Sequence, residues 1–297
     1  MYHILYNPLS GNGKGYDRVQ ELRDLLKSEE LNFCDIREIK DYADFFATLG
    51  ETDSLVVAGG DGTLNKFINF TDGLKRPENL FYYAMGSGND FRQDVAPGEN
   101  GLIPLTDYIS DLPSVTVNGK TYRFLNGIGY GIDGYCCEVG DQLTKTSDKP
   151  INYAGIAIKG LLFHYKPTNA TVTVDGVTQS FEKVWLAPTM NGRYYGGGMN
   201  IAPAQNRLNP ERTVSAVVMF GSGKLKTLMV FPSIFKGEHV KHTEMIAVMS
   251  GHEVTVQFDR PVALQIDGEL VLNVTEYTVH SAKSAAERGA APASAEA

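Results

Sequence analysis

Three short apolar runs in the first hundred residues each lead into a glycine-rich turn. The runs cover residues 3–7, 54–58 and 80–85, and the turns cover 10–15, 59–63 and 86–90. Continuously apolar runs are typical of strands that are buried on both faces of a parallel sheet. Helically spaced apolar residues follow the first two turns. This alternation predicts an α/β sheet with three glycine turns at its carboxyl edge, where ligands bind in such sheets.

After Pro97 the pattern changes to short strands separated by turns. Asn118-Gly119 and Asp175-Gly176 each lie between strand-like runs, as in tight hairpins. Further strand candidates cover residues 213–220, 253–258, 262–266 and 270–274, which favours a mostly antiparallel β-sandwich. We predict a three-layer α/β/α domain over residues 1–115 and a β-sandwich over 116–280, with the possibility that its last strands return to the first domain. Residues 281–297 are rich in Ala and Ser, and we predict a disordered tail there.

Composition excludes several classes of protein. The 297 residues carry a formal net charge of -8, which argues against a nucleic-acid binder with a broad basic surface. Three cysteines, two of them adjacent, provide neither a disulfide framework nor paired zinc spacing. No apolar run approaches the ~18 residues of a membrane span, and the first residues lack a basic secretory signal. We therefore expect a cytoplasmic protein.

The segment Gly59-Gly60-Asp61-Gly62-Thr63 carries the strongest chemical signal. Glycines let the backbone approach a phosphate closely, and the start of the following helix offers unpaired N–H groups to an anion. Asp61 is a candidate Mg²⁺ ligand, because this ion is bound by carboxylates together with substrate phosphates. A tight strand-to-helix turn with Asp61 as a cap explains the segment equally well.

The other two turns match neither of the best-known phosphate-binding patterns. Gly15 follows Lys14 where a Walker A motif needs Ser or Thr, and Tyr16 stands where a Rossmann pattern needs glycine. In the third turn, Ser87 is a candidate phosphate contact and Asp90 a second carboxylate. Taken alone, that turn is better explained by Asn89 or Asp90 acting as a helix N-cap.

Several motifs in order resemble the catalytic domain of the diacylglycerol-kinase family, and the chain resembles its bacterial soluble lipid kinases. The motifs are Asn7-Pro8-x-Ser10-Gly11, the segment 59–65, Gly-Ser-Gly-Asn-Asp-Phe at 86–91, Asn126 to Gly129, Asn191 to Met199, and Asp267-Gly268-Glu269. The resemblance spans roughly residues 3 to 280. NAD kinases and phosphofructokinases share the Gly-Gly-Asp-Gly core, but the first and third motifs separate this sequence from both.

The resemblance implies a nucleotide-binding first domain and transfer of phosphate from ATP, with Mg²⁺, to a lipid hydroxyl in a cleft between the domains. Diacylglycerol is the first expected acceptor. The implied catalytic residues are Glu269 as general base, Asp267 beside it with the two roles open to exchange, and Asp61. The implied metal ligands are Asp61 and Asp90. The implied nucleotide contacts are Asn7, Pro8, Ser10, Gly11, Gly59, Gly60, Asp61, Gly62, Thr63, Leu64, Asn65, Ser87 and Asn89.

Two features keep alternatives open. Asp267-Gly268-Glu269 is also a strong hairpin-turn signal between apolar runs, and the pattern alone favours the turn. The family commonly carries Asp-Asp-Gly for a structural magnesium, whereas this chain has Leu-Asn-Pro-Glu at 208–211. We predict that this metal site is absent or altered. An NAD-kinase-like enzyme with a soluble acceptor, or a family member that binds nucleotide or lipid without turnover, therefore remain alternatives.

The expected partners are a lipid substrate and, peripherally, a membrane surface, with homodimer formation left open. A locally basic stretch carries Lys224, Lys226, Lys236, Lys241 and His242 with apolar residues between them. It is a candidate docking face, although a packed connection within the β domain is the favoured interpretation. We expect no nucleic-acid partner.

Overall fold

The computed structural model describes residues 1–144 and 153–282. Its N-terminal part is built on a sheet with the strand order β2-β1-β3-β4-β5. The strands are β1 Tyr2–Tyr6, β2 Leu31–Asp35, β3 Ser54–Gly59, β4 Leu80–Ala84 and β5 Ile103–Pro104. The first four run parallel, and β5 pairs antiparallel with β4 at the edge. The three predicted strands are thus neighbours in one sheet.

Short helices cover both faces of this sheet. On one face, α1 Ser10–Gly13, α2 Gly15–Val19 and α3 Leu22–Leu25 lie over a core that includes Ile4 and Val56. On the other face lie α4 Tyr42–Ala47, α5 Asp61–Phe70, α6 Asp90–Val95 and α7 Thr106–Ile109, around Leu55, Val57 and Phe67. A 3₁₀ helix spans Ile36–Glu38. The predicted three-layer α/β/α architecture is confirmed.

The C-terminal part is dominated by antiparallel strands. They are β6 Ser114–Val117, β7 Lys120–Arg123, β8 Gly127–Tyr130, β9 Thr168–Val174, β10 Val177–Val184, β11 Thr189–Met190, β12 Tyr194–Tyr195, β13 Met199–Asn200, β14 Val214–Met219, β15 Ile246–Gly251, β16 Glu253–Ile266 and β17 Glu269–His280. The helices are α8 Ile132–Thr144, α9 Tyr153–Lys159 and α10 Lys224–Val230, with a π-helix at Gly160–His164 and 3₁₀ helices at Phe231–Lys236 and His239–Lys241. The sequence pattern did not predict these helices.

The long strand β16 lies in the middle of the ten-stranded sheet, whose main order is β15-β14-β11-β8-β16-β17-β6-β7. Its first half pairs with β9 and its last residues pair with β8, while β17 follows it on the other side. The register between β16 and β17 shifts between Gln257 and Val262, and such an irregularity bends a strand. The two strands predicted at 253–258 and 262–266 are therefore one bent strand. The predicted antiparallel β-sandwich is confirmed.

Turn chemistry explains how the hairpins of the sandwich form. Asn118 and Asp175 have φ angles of 49° and 47°, each followed by a glycine with positive φ, as the predicted type of tight turn requires. The predicted boundary between residues 115 and 116 falls inside β6 and stays a prediction. The predicted tail lies outside the described residues from position 283 onward. Within the described ranges, no helix has both the length and the apolar character needed to cross a bilayer.

Candidate active site

The loops that follow β1, β3 and β4 meet at the carboxyl edge of the parallel sheet. A Cβ built on Gly86 would lie only 2.6 Å from the Cα of Gly60, so these two loops touch through glycine backbone. The Asn7 side chain donates a hydrogen bond to Thr63 Oγ1 at 2.9 Å, which joins the end of β1 to the start of α5. The structure therefore brings together the three turns that the sequence singled out.

Asp61 is the first residue of α5, and its carboxylate spans the gap to α6. It accepts hydrogen bonds from the backbone N–H groups of Asp90 at 2.9 Å and Phe91 at 3.0 Å. The Asn126 side chain donates to the same carboxylate at 3.3 Å. Asp61 therefore caps α6 from a neighbouring helix. Asn89 occupies the predicted N-cap position of α6, but its side chain makes no capping hydrogen bond, and the Asp61 carboxylate takes that role instead.

Asp90 connects the two domains. Its carboxylate accepts hydrogen bonds from the N–H groups of Gly197 at 2.9 Å and Gly198 at 2.7 Å, at the tip of the β12–β13 hairpin. Burial raises the pKa of Asp90 to about 6, and the nearby charge of Asp61 adds to this shift. The two glycine N–H groups act in the opposite direction. A Cβ built on Gly88 would lie 3.7 Å from one oxygen of each carboxylate, so half-buried Asp61 and buried Asp90 lie close together.

Asp267 anchors the turn between β16 and β17. It has a φ of 46°, and Gly268 follows with a φ of 93°. The carboxylate accepts four hydrogen bonds, at 2.6 to 3.0 Å: from the N–H groups of Leu125, Asn126 and Gly127, and from the Asn65 side chain. Burial raises the pKa of Asp267, while these bonds oppose the shift. The predicted hairpin turn and the predicted approach to the cleft are both present.

Glu269, two residues further on, is positioned differently. Its side chain is about half exposed, and its Oε1 lies 3.1 Å from the Nζ of Lys66 on α5. A Cβ built on Gly62 would lie 3.6 Å from the same oxygen, so Glu269 lies over the first turn of α5. Its carboxylate therefore faces the cleft and solvent. Lys66 was missed by the sequence analysis, because a single lysine on the polar face of a helix gives no signal.

A buried charge cluster holds the domains together next to this site. Asp94 on α6 is 2.6 Å from the Nε of Arg193 and 2.5 Å from an Nη of Arg207. Arg207 also donates to the Leu125 carbonyl at 3.0 Å and lies over the Phe91 ring. The sequence analysis missed this cluster, since no local pattern connects Asp94 with residues about a hundred positions later.

The remaining predicted nucleotide contacts lie in different surroundings. Ser10 Oγ is 3.5 Å from Thr63 Oγ1, and Ser87 is exposed at the tip of its turn. Leu64 lies on the buried face of α5, where its side chain is in the core and away from the cleft surface. Asn89 is buried, and its Oδ1 has no hydrogen-bond partner. The other predicted positions, Pro8, Gly11, Gly59, Gly60, Gly62 and Asn65, lie in or beside the first two loops.

The 206–213 loop, where an altered metal segment was predicted, is held by a side-chain amide. Asn209 donates to the Asn206 carbonyl at 2.7 Å and to the Thr213 carbonyl at 3.2 Å, and it accepts from the Thr213 N–H at 3.1 Å. Neutral amide bonds therefore close this turn. The described ranges contain no group of three or more His, Cys, Asp or Glu side chains arranged to hold a metal ion.

Two family models match consecutive parts of the chain. The model described as "Diacylglycerol kinase catalytic domain" matches residues 1–112, and the model described as "YegS C-terminal NAD kinase beta sandwich-like domain" matches residues 126–281. The chain belongs to the diacylglycerol-kinase catalytic-domain family. The resemblance drawn from the motifs is thereby confirmed, and the two matches correspond to the α/β part and the β-sandwich.

Similar proteins of this family cover nearly the whole chain. A Bacillus subtilis protein named "Putative lipid kinase YtlR" is 23% identical, covering 95% of this chain and 97% of its own. A Mycobacterium tuberculosis protein named "Diacylglycerol kinase" is 24% identical over 89% of this chain and 87% of its own. A crystal structure described as a diacylglycerol kinase from Bacillus anthracis has a TM-score of 0.61 and 17% identity, covering 95% and 94% of the two chains. This last likeness concerns the fold.

Proposed function

We propose that this protein transfers the γ-phosphate of ATP to the hydroxyl group of a lipid, with diacylglycerol as the acceptor. Its family membership and the names of its relatives support a lipid kinase. One observation carries the proposal: the carboxylates of Asp61 and Asp90, each 3.7 Å from a Cβ built on Gly88, lie close together at the carboxyl edge of the parallel sheet, where the three glycine turns meet. This edge is where α/β proteins bind their ligands.

The triphosphate would lie against the loops after β1 and β3. Gly59, Gly60 and Gly62 have no side chain that would keep a phosphate away from the backbone. In the ten-residue helix α5, the N–H of Thr63 already donates to the Gly60 carbonyl at 3.0 Å, whereas the N–H groups of Asp61 and Gly62 precede the first intrahelical bond. Gly60 at the N-cap provides no side-chain cap for these groups, which leaves them to a ligand.

The residues present fit a magnesium ion. Carboxylate oxygens are ligands that Mg²⁺ prefers. Burial, and after it the repulsion from Asp61, raises the pKa of Asp90, and a divalent cation between the two carboxylates would offset both effects. When bound, Mg²⁺ supplies charge neutralisation for the transferred phosphoryl group. Asp61 and Asp90 would hold it, while Asn126 and the N–H groups of Gly197 and Gly198 orient the two carboxylates.

Glu269 would take the proton from the acceptor hydroxyl. It is the exposed carboxylate of the turn, and Lys66 orients it over the start of α5. Asp267 instead has each oxygen engaged by two N–H donors, so we assign it a positioning role: it fixes the turn that carries Glu269. Phosphoryl transfer needs mainly in-line positioning and charge stabilisation, which this arrangement provides.

The test incubates the protein with γ-labelled ATP, Mg²⁺, NAD and a total lipid extract. A labelled lipid supports the proposal. Label in phosphatidic acid, the phosphorylated form of diacylglycerol, identifies diacylglycerol as the acceptor. Labelled NADP would instead support an NAD-kinase-like enzyme, and nucleotide binding without any labelled product would support a non-catalytic family member. Either result contradicts the proposal.

The matched variant is Asp61→Asn, which keeps the shape of the side chain and removes its charge. We expect at least about a hundredfold loss of kcat, the scale of losing a preorganised electrostatic contact. Asp17→Asn, an exposed residue on α2, is the control and should retain full activity. Full activity of Asp61→Asn would show that this carboxylate is not part of the catalytic site.

A further inference from the structure

Large apolar side chains project into solvent from the helical segments of the β-sandwich. Phe163 in the π-helix is 72% exposed, and Leu225 and Met229 on α10 are 73% and 74% exposed. Ile158 on α9 and Phe235 after α10 are each close to half exposed. We call these five residues the apolar patch. Exposed apolar groups that cluster in this way mark interaction sites.

The segments that carry the apolar patch are in contact with one another. Lys224 at the start of α10 donates a hydrogen bond to the Leu162 carbonyl at 2.9 Å, which places α10 beside the π-helix. Leu225 and Met229 are four residues apart and therefore lie on one face of α10. The opposite face buries Thr227 and Val230 against the sandwich. The helix is thus apolar toward solvent as well as toward the core.

Positive charge predominates in the segments that carry the apolar patch, although the protein as a whole is acidic. Residues 153–166 and 224–244 contain six lysines and only two glutamates, Glu238 and Glu244, in a chain with a net charge of -8. The two glutamates pair with Lys241 and Lys226. The remaining lysines are Lys159, Lys166, Lys224 and Lys236, all exposed. This surface is therefore complementary to a negatively charged partner.

We propose that the apolar patch and its lysines dock the protein onto an anionic lipid bilayer. Apolar side chains that project between lysines are typical of helices lying in a membrane interface, where apolar tips enter the acyl boundary and lysines contact headgroups. The four lysines outside the two glutamate pairs supply the positive charge that anionic headgroups attract. This proposal deepens the proposed function and rests on it for the lipid acceptor.

The docking surface is connected to the candidate active site. The 3₁₀ helix Phe231–Lys236, which carries Phe235, packs against β13. β13 directly follows Gly197 and Gly198, whose N–H groups hold Asp90. A bilayer on the docking surface would therefore lie beside the hairpin that borders the cleft, and an acceptor could reach the cleft without leaving the lipid phase completely.

Vesicle sedimentation without ATP tests this proposal. The full protein is mixed with vesicles of phosphatidylglycerol and phosphatidylcholine in equal parts, and with vesicles of phosphatidylcholine alone. We expect binding to the anionic vesicles, and at least about tenfold weaker binding for the double variant Leu225→Glu/Met229→Glu. Val177→Glu is the control, because Val177 is equally exposed but lies on the β9–β10 hairpin. It should bind like the unmodified protein.

The lysines are tested separately. Lys159→Gln and Lys236→Gln should each weaken binding to the anionic vesicles roughly fivefold and leave binding to neutral vesicles unchanged. Circular dichroism confirms that each variant is folded.

Two results of vesicle sedimentation would overturn the proposal: no sedimentation with anionic vesicles, or undiminished binding of the double variant. Sedimentation velocity supplies a third: a dimer that the double variant converts to monomer would assign the apolar patch to a second copy of the chain. Vesicle binding without lipid phosphorylation would overturn the proposed function alone. Phosphorylation of detergent-dispersed lipid without vesicle binding would overturn the docking proposal alone.

Discussion

At the scale of single residues, hydrogen-bond partners separate the four acidic side chains of the cleft into different roles. Asp61 and Asp90 accept backbone N–H groups across the gap between α5, α6 and the β12–β13 hairpin. Asp267 accepts four hydrogen bonds, whereas the half-exposed Glu269 carboxylate forms an ion pair with the exposed Lys66. A residue that must accept a proton needs such an accessible oxygen, and Glu269 has one.

The variant Glu269→Gln tests this assignment. It keeps the size of the side chain but removes its ability to take a proton, so we expect kcat to fall by roughly 10²–10⁴-fold. ATP affinity, measured by calorimetry, should change little. Glu276→Gln, another exposed position on β17, is the control and should keep normal turnover. Normal kcat for Glu269→Gln would remove Glu269 from the mechanism.

The raised pKa of Asp90 predicts a specific pH dependence of stability. Because its folded-state pKa lies above that of an unfolded aspartate, the protonated form favours the fold, and this contribution is lost as pH rises through the folded-state value of about 6. Without Mg²⁺, the free energy of unfolding should therefore fall between about pH 4 and about pH 7.

Urea unfolding of the protein and of Asp90→Asn measures this effect. The variant should show a flatter profile in this range, even if its stability is lower throughout. Asp133, whose pKa burial raises to about 7, contributes a further loss in both proteins and cancels in the difference. Saturating Mg²⁺ should flatten the profile of the unmodified protein as well. Parallel profiles for the two proteins would contradict the assignment of the shift to Asp90.

At the scale of elements, glycine backbone sets how closely the turns after β3 and β4 approach each other. A methyl group on Gly86 would lie 2.6 Å from Gly60 Cα and 2.9 Å from Asn89 Oδ1, and backbone cannot yield as a flexible side chain can. Because these glycines follow strand-like apolar runs, the sequence predicted turns at this edge of the sheet. It could not predict that the two glycines touch each other, because this contact depends on the pairing of β3 with β4.

Gly86→Ala should separate the two loops. We expect about 1–3 kcal/mol of destabilisation, as for overpacking elsewhere, together with weaker ATP binding. Gly101→Ala is the matched control, since a Cβ there meets open space. Chemical denaturation and calorimetry measure the two effects. Equal behaviour of the two variants would show that the close approach of the loops is unimportant.

At the scale of the whole molecule, buried charges join the α/β part to the β-sandwich. Arg207 and Asp94 are almost completely buried and form an ion pair, which no local sequence pattern predicts. The sequence predicted both architectures, because hydrophobic period and turn residues are local signals. It could not predict their mutual contacts, nor the helices α8 to α10, whose apolar residues are divided between core and solvent.

Arg207→Met tests the buried pair. It leaves Asp94 with reduced compensation, so we expect a loss of about 3–5 kcal/mol in the free energy of unfolding. Arg37→Met breaks an exposed pair with Asp35 and should leave stability essentially unchanged. Urea denaturation compares the two. A small effect of Arg207→Met would mean that Arg193 alone compensates Asp94.

The contacts across the cleft also determine how the molecule can open. Asn65 to Asp267, Asp90 to the glycine N–H groups and Asp94 to two arginines join the two parts at separate points around the opening. Swinging one lobe away from the other as a rigid body would rupture all of these contacts together. Moving only the tip of the β12–β13 hairpin, residues 196–198, would break the two bonds to Asp90 and leave Tyr195 packed in the core. For the proposed acceptor, the least disruptive opening would therefore be a small movement of this tip at one side of the cleft, while the other contacts between the two parts stay in place.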